Sequence, residues 1–200
     1  MSPWARRRLG PDGRGGFALR LPAPERALLT SLPGQLDALL AGVDPDDDRP
    51  TDRLPSPLAR LLPIAYPRDV EADAAFARTT RADLVAGHRE ALATLSAVVG
   101  RGRATGEELE LVCGALNDLR LVLGTALEVT EDPEPVDEAD PAYPQWVCYG
   151  YLSALQAEII DALAGQLPPP LPGADDEAPE DPWGDPLGDL RWDGTPRPEP

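Results

Sequence analysis

Apolar positions along this chain fall mostly at helical spacing. From Pro24-Glu25 the leucines stand at 28, 29, 32, 36, 39 and 40, close to a 3.6-residue repeat, and a proline suits the opening turn. Pro33 is expected to kink that helix or divide it in two. Leu58 to Leu62 reads as one helical turn ended by Pro63, followed by an extended link to Pro67. Asp69 is a good N-cap, with Glu71 and Asp73 where the helix dipole favours acids. The stripe Phe76, Thr80, Leu84, Ala91, Leu95 and Val98 then carries a helix to Gly100, with a break near Thr79. Arg101-Gly102-Arg103 turns the chain.

Thr105 and Glu108 have the spacing of a capping box. The helix they open, about 105–128, carries apolar residues from Leu109 through Leu111, Leu116 and Leu119 to Leu127 over an arc of roughly 200°. So wide a stripe is expected of a helix packed on two or more sides, the centre of a domain. Asn117, Asp118 and Glu128 fall in the polar remainder. A final helix from about Gln145 to Gln166 has Cys148, Leu152, Leu155, Ile159 and Leu163 as its seam, with Trp146 anchoring its first turn.

Two regions depart from this pattern. Residues 4–9 and 17–21 flank a Gly-rich turn and predict a small hairpin. After Leu167 come Pro168-Pro169-Pro170 and a stretch with nine acids and two arginines, too polar to offset its ordering entropy. Trp183, Leu187, Leu190 and Trp192 are its apolar exceptions. The expected fold is therefore mainly α, a single-domain helical bundle around the central buried helix. Residues 1–22 form an Arg-rich β-hairpin arm, 23–167 the helical domain, and 168–200 a disordered, acidic, Pro-rich tail.

Composition narrows the function. Among 200 residues, 35 acids face 18 bases, all of them Arg, for a net charge of −17. Such a chain repels a phosphate backbone, so DNA contact is expected to be indirect or weak, with basic proteins the better partners. Nothing resembles a membrane span or a signal peptide, which makes the expected location cytoplasmic. His88 is the sole histidine, which excludes His-paired nucleophiles and multi-His metal sites. It is expected as a partly exposed helix residue. No phosphate-binding or dinucleotide fingerprint occurs, so no enzyme and no cofactor are expected.

The remaining candidates are cysteines and charges. Cys113 and Cys148 are either small buried hydrophobes or redox-active thiols, and Arg120 near Cys113 would favour the thiolate. If their helices pack antiparallel with level ends, the two cysteines sit roughly 18 Å out of register at about 1.5 Å per residue. A bridge requires Cα atoms within about 7 Å, and only crossed or staggered packing would close that gap. Arg120, at the arc's margin, either pairs with an acid such as Glu71 or Asp73 or belongs to a partner surface with Asn117, Asp118, Glu131 and Asp132. Arg6, Arg7, Arg8 and Arg14 lie in a locally basic N-terminus (+4 over residues 1–26), either a solvated hairpin or a nucleic-acid contact.

Three segments carry a family resemblance. They are Leu61-Leu62-Pro63-Ile64-Ala65-Tyr66-Pro67-Arg68-Asp69, Leu116 to Thr125 with Val129-Thr130-Glu131-Asp132, and Tyr149-Gly150-Tyr151-Leu152. Over about residues 15–166 the chain resembles an actinobacterial family, long described as a domain of unknown function and now named for the oxidative stress transcriptional regulator AosR. The all-Arg, Ala- and Pro-rich composition suits such a high-GC source. The resemblance implies a helical regulator that senses redox state through cysteines and acts with an alternative, stress-responsive sigma factor on cysteine-biosynthesis genes. Here only Cys113 and Cys148 would supply the switch. Members also lie beside the gene for the Clp protease adaptor, so an adaptor or scaffold linked to Clp proteolysis is the alternative reading.

Overall fold

A computed structural model describes residues 7–43, 56–130 and 136–165. The expected disordered tail, along with Arg6, Glu131 and Asp132, lies outside the described residues. The chain begins with a hairpin of β1 (Leu9–Pro11) and β2 (Phe17–Leu19), Leu9 facing Leu19. Asp12 shapes the turn, its carboxylate accepting from the Arg14 and Gly16 amides at 2.7 and 2.9 Å. Those amide bonds hold the Asp12 carboxyl below its ordinary pKa. Gly13 and Gly15 take the left-handed φ of 74° and 88° that the turn requires. A third strand, β3 (Arg103–Ala104), pairs antiparallel with β2 and completes a small sheet. No hydrophobic period marks so short a strand, and the sequence suggested only a turn there.

Among the described residues, five helices follow the hairpin in chain order around β3. α1 (Ala23–Ala41) runs as one helix through Pro33, so of the two expected outcomes, a kink or a division, the division does not occur. Leu29, Pro33, Leu36 and Leu40 form one buried stripe, and packing on both sides of the proline offsets its cost of about 3 kcal/mol. α2 (Ser56–Ala59) is a single turn that buries Leu58, with Leu61 and Leu62 buried just after it. α3 (Val70–Arg101) is unbroken at Thr79, capped by Asp69 at one end and by left-handed Gly102 at the other. Its buried face follows the expected stripe at Ala91, Leu95 and Val98 and departs from it in the first half of the helix. Asp73, Ala77, Arg81 and Val85 turn inward, whereas Phe76 and Leu84 are exposed. Asp73 is held there because its carboxylate accepts from the Ala65 and Tyr66 amides, fixing the linker before α3.

α4 (Gly106–Ala126) opens on the predicted capping box, Thr105 and Glu108 bonding each other's backbone amides. Leu109, Ala115 and Leu116 are fully buried between α3 and α5 (Tyr143–Ala164), which confirms α4 as the centre. The buried arc is narrower than predicted. Leu111 is exposed, and from Val122 onward α4 is at most half-buried. α5 buries Tyr151, Leu152, Leu155, Gln156 and Ile159, while Cys148 and Leu163 are only partly covered. Each fully buried leucine contributes about 1.5–3 kcal/mol, and α1, α3, α4 and α5 carry two apiece: Leu29 and Leu40, Leu92 and Leu95, Leu109 and Leu116, Leu152 and Leu155. Among the described residues no helix is long and apolar enough to cross a membrane.

Candidate functional site

The α4–α5 seam is not wholly apolar. Arg120 leaves α4 toward α5, its Nε donating to Ser153 Oγ at 2.8 Å and its Nη1 donating to Gln156 Oε1. Its guanidinium lies over the Tyr149 ring, 5.4 Å from the centroid. Gly124, one turn further along α4, makes room for that ring, since a Cβ there would stand 3.2 Å from Tyr149 Cε2. Arg120, Gly124, Thr125 and Tyr149, joined by Arg60 and Glu128, line an open depression of about 360 Å³. The expected ion pair of Arg120 with Glu71 or Asp73 is not formed. Those acids lie on α3, whereas Arg120 faces α5, and no carboxylate among the described residues reaches it. Its positive charge is held in place by neutral groups.

Asp118 departs from the predicted partner surface. It is buried and points the other way, toward α3, where its Oδ2 accepts from His88 Nδ1 at 2.7 Å. His88 Nε2 reaches the Leu61 carbonyl at 3.2 Å. Both partners are acceptors, so the ring satisfies them only as an imidazolium with two N–H groups. Hydrogen bonding to Asp118 raises the His88 pKa, against the opposing effect of burial. This clamp ties the α2–α3 link to α4. Asn117 is half-buried on the flank of α4. Asn117, Asp118 and Arg120 therefore do not share one face.

The N-terminal arginines also separate. Arg8 is buried and forked onto Glu25 of α1, Nε to Oε2 at 2.6 Å and Nη2 to Oε1 at 2.8 Å. It stacks on Tyr151 with its guanidinium 5.3 Å from the ring centroid. Glu158 of α5 accepts from the Arg8 and Leu9 amides, pinning the start of β1. Burial, reinforced by Glu25, raises the Tyr151 phenol pKa far above its ordinary value. Arg8 is thus an interior residue with no face for phosphate, while Arg7 and Arg14 are exposed. The signal that could have shown this is Tyr151 beside Glu158 on the same helix, but the pairing with Arg8 spans most of the chain.

Cys113 and Cys148 are both free and half-buried. Gln156 Nε2 donates to the Cys113 carbonyl at 3.3 Å, which sets Gln156 level with Cys113. Cys148 precedes Gln156 by more than two turns, about 12 Å along α5 at 1.5 Å per residue, beyond bridging distance. Burial raises the Cys148 thiol pKa, opposite to the activation a reactive thiolate needs. Among the described residues, no group of three or more His, Cys, Asp or Glu gathers as a metal site would.

What these features define is a helical domain with polar clasps set into its seams. Residues 1–163 match the family model described as a domain of unknown function, DUF2017, and the chain belongs to that family. No curated protein and no solved structure matches it.

Proposed function

We propose that this protein is a non-enzymatic transcription regulator of the oxidative-stress response, acting through protein contacts with an alternative sigma factor, as its resemblance to the AosR family implies. The observation that carries the protein-contact part is Arg120. A half-buried guanidinium, oriented by Ser153, Gln156 and Tyr149 without a described carboxylate beside it, is a pre-organised recognition group for an acidic or carbonyl-rich surface. The residues around it also come largely from the segments that carry the resemblance, Leu116 to Thr125 and Tyr149. The net charge of −17 favours regulation through a protein over independent operator binding.

Redox control enters this reading through the resemblance. In this fold Cys113 and Cys148 do not bridge within one chain, so a switch using both requires α4 and α5 to shift against each other. The test is a pull-down with the stress sigma factor under reducing and oxidising conditions. Capture that Arg120→Ala lowers about tenfold or more is the expected result. Absence of capture in both states would remove the regulator reading, and unchanged regulation in Cys113→Ser/Cys148→Ser would remove the thiol switch alone.

A further inference from the structure

We propose that the cleft walled by α1, α4 and α5 is a docking groove for a basic amphipathic helix of a protein partner. This deepens the regulator reading and rests on it, adding a second surface and the chemistry of what binds there. The cleft, of about 360 Å³, is lined by Leu32, Leu36, Leu39, Val122, Cys148 and Leu152 among others, with Gln35 and Gln145 as its polar members. Leu39 keeps 48% of its surface exposed in this setting. An apolar trough between helices takes the apolar stripe of another helix at spacings of i, i+3 or i+4, and i+7.

Charge selects the occupant. α5 contains no basic residue, and α1 and α4 contain one each. Both are engaged away from the cleft. Arg26 donates to the Val99 carbonyl at 3.0 Å, and Arg120 turns to Ser153 and Gln156. At the end of the cleft marked by Pro144 and Gln145, the chain that leads into α5 is acidic and exposed, at Asp137, Glu138 and Asp140. A helix flanking its apolar stripe with Arg or Lys meets complementary charge there. A second copy of this chain, at −17, and a nucleic acid would both be repelled.

Cys148 in the lining serves as a reporter. The full chain is labelled with N-ethylmaleimide and the Cys148 peptide is quantified by mass spectrometry. The probe is a synthetic Leu/Arg amphipathic helix of about 18 residues, several turns long. Its controls are the same peptide with Glu for Arg, and dodecanoate. The basic peptide is expected to slow labelling of Cys148 about tenfold when most of the protein is bound, with the acidic peptide without effect. Leu39→Glu, which adds negative charge yet spoils the apolar wall, is expected to abolish protection, and Leu39→Ser repeats the test with a milder change. Protection by the acidic peptide, by dodecanoate alone, or undiminished in both Leu39 variants would overturn the groove. Sigma-factor capture that survives those variants would overturn only the groove. Peptide protection without any sigma-factor capture would leave the groove standing and remove the regulator reading.

Discussion

Two arginines lie on two tyrosines of the same helix, and their surroundings give them opposite roles. Arg8 covers Tyr151 and Arg120 covers Tyr149, at nearly the same distances of 5.3 and 5.4 Å. The tyrosines are two residues apart, so they leave α5 on different sides. Arg8 meets a carboxylate fork, Glu25, inside the fold, and its charge is neutralised. Arg120 meets a hydroxyl and an amide at a half-open margin and keeps its charge. The shared stacking geometry says little about role. The third partner decides it, making the first arginine a fastening between the hairpin and the helices and leaving the second as the group we propose for partner recognition.

The comparison breaks most easily at Arg8. Arg8→Ala leaves Glu25 without its fork in a largely buried place and strips the cover from Tyr151. Breaking such a pair costs about 3 kcal/mol. Denaturant unfolding is expected to show that loss, together with early exchange of the Leu9–Leu19 strand amides. A loss below about 1 kcal/mol would mean the pair is solvated, as surface pairs are. At Arg120 the balance reverses. Ser153 already donates to the Tyr149 carbonyl and Gln156 to the Cys113 carbonyl, so both keep partners when the guanidinium goes. Arg120→Ala is expected to cost about 1 kcal/mol of stability while lowering partner capture about tenfold or more. Equal stability losses at the two sites would erase the distinction.

The His88–Asp118 clamp is a further charged contact, and its effect depends on pH. Its folded pKa is raised, so the protonated ring is favoured by folding. That contribution is complete below the ordinary value of 6.5 and drains away as pH rises through the raised folded value. Across that interval the protein is expected to lose stability with rising pH, and His88→Gln is expected to flatten the slope. An unchanged slope in the variant would assign the titration to other groups. At low pH the α2–α3 link should be at its most protected in amide exchange, because the imidazolium holds the Leu61 carbonyl and Asp118 together.

What the sequence made legible was local. Asp69 and the Thr105–Glu108 box act within one turn, and α4 was recognisable as central because its apolar arc is too wide for a surface helix. What it hid depended on distant partners. The inward phase of Asp73, Ala77, Arg81 and Val85 runs against hydrophobicity, and only the backbone amides of Ala65 and Tyr66 explain why Asp73 is inside. Arg8 looked like part of a basic arm because its carboxylate is on another element and its tyrosine near the far end of the domain. The candidate site was half visible. Arg120 stood out as a charge at the edge of a buried face, either paired with an acid such as Glu71 or Asp73 or part of a partner surface, and its reach to Ser153 and Gln156 on α5 was not legible.

The finest test of the comparison is Gly124→Ala, which perturbs the Arg120 setting without removing any group that bonds it. Within a helix, alanine is favoured over glycine by about 0.8–1 kcal/mol. Against that, the new methyl would lie 3.2 Å from Tyr149 Cε2, closer than carbon atoms rest, so the ring must move by a few tenths of an ångström. Tyr149 is only half-buried and has room to yield toward solvent. The two effects are expected to cancel to within about 0.5 kcal/mol. The displaced ring should uncover the guanidinium, and the Arg120 Nε–H signal in proton–nitrogen spectra is expected to exchange faster with water. If stability rises by the full helix preference while that signal is unchanged, Tyr149 does not hold Arg120, and Ser153 and Gln156 alone set its direction.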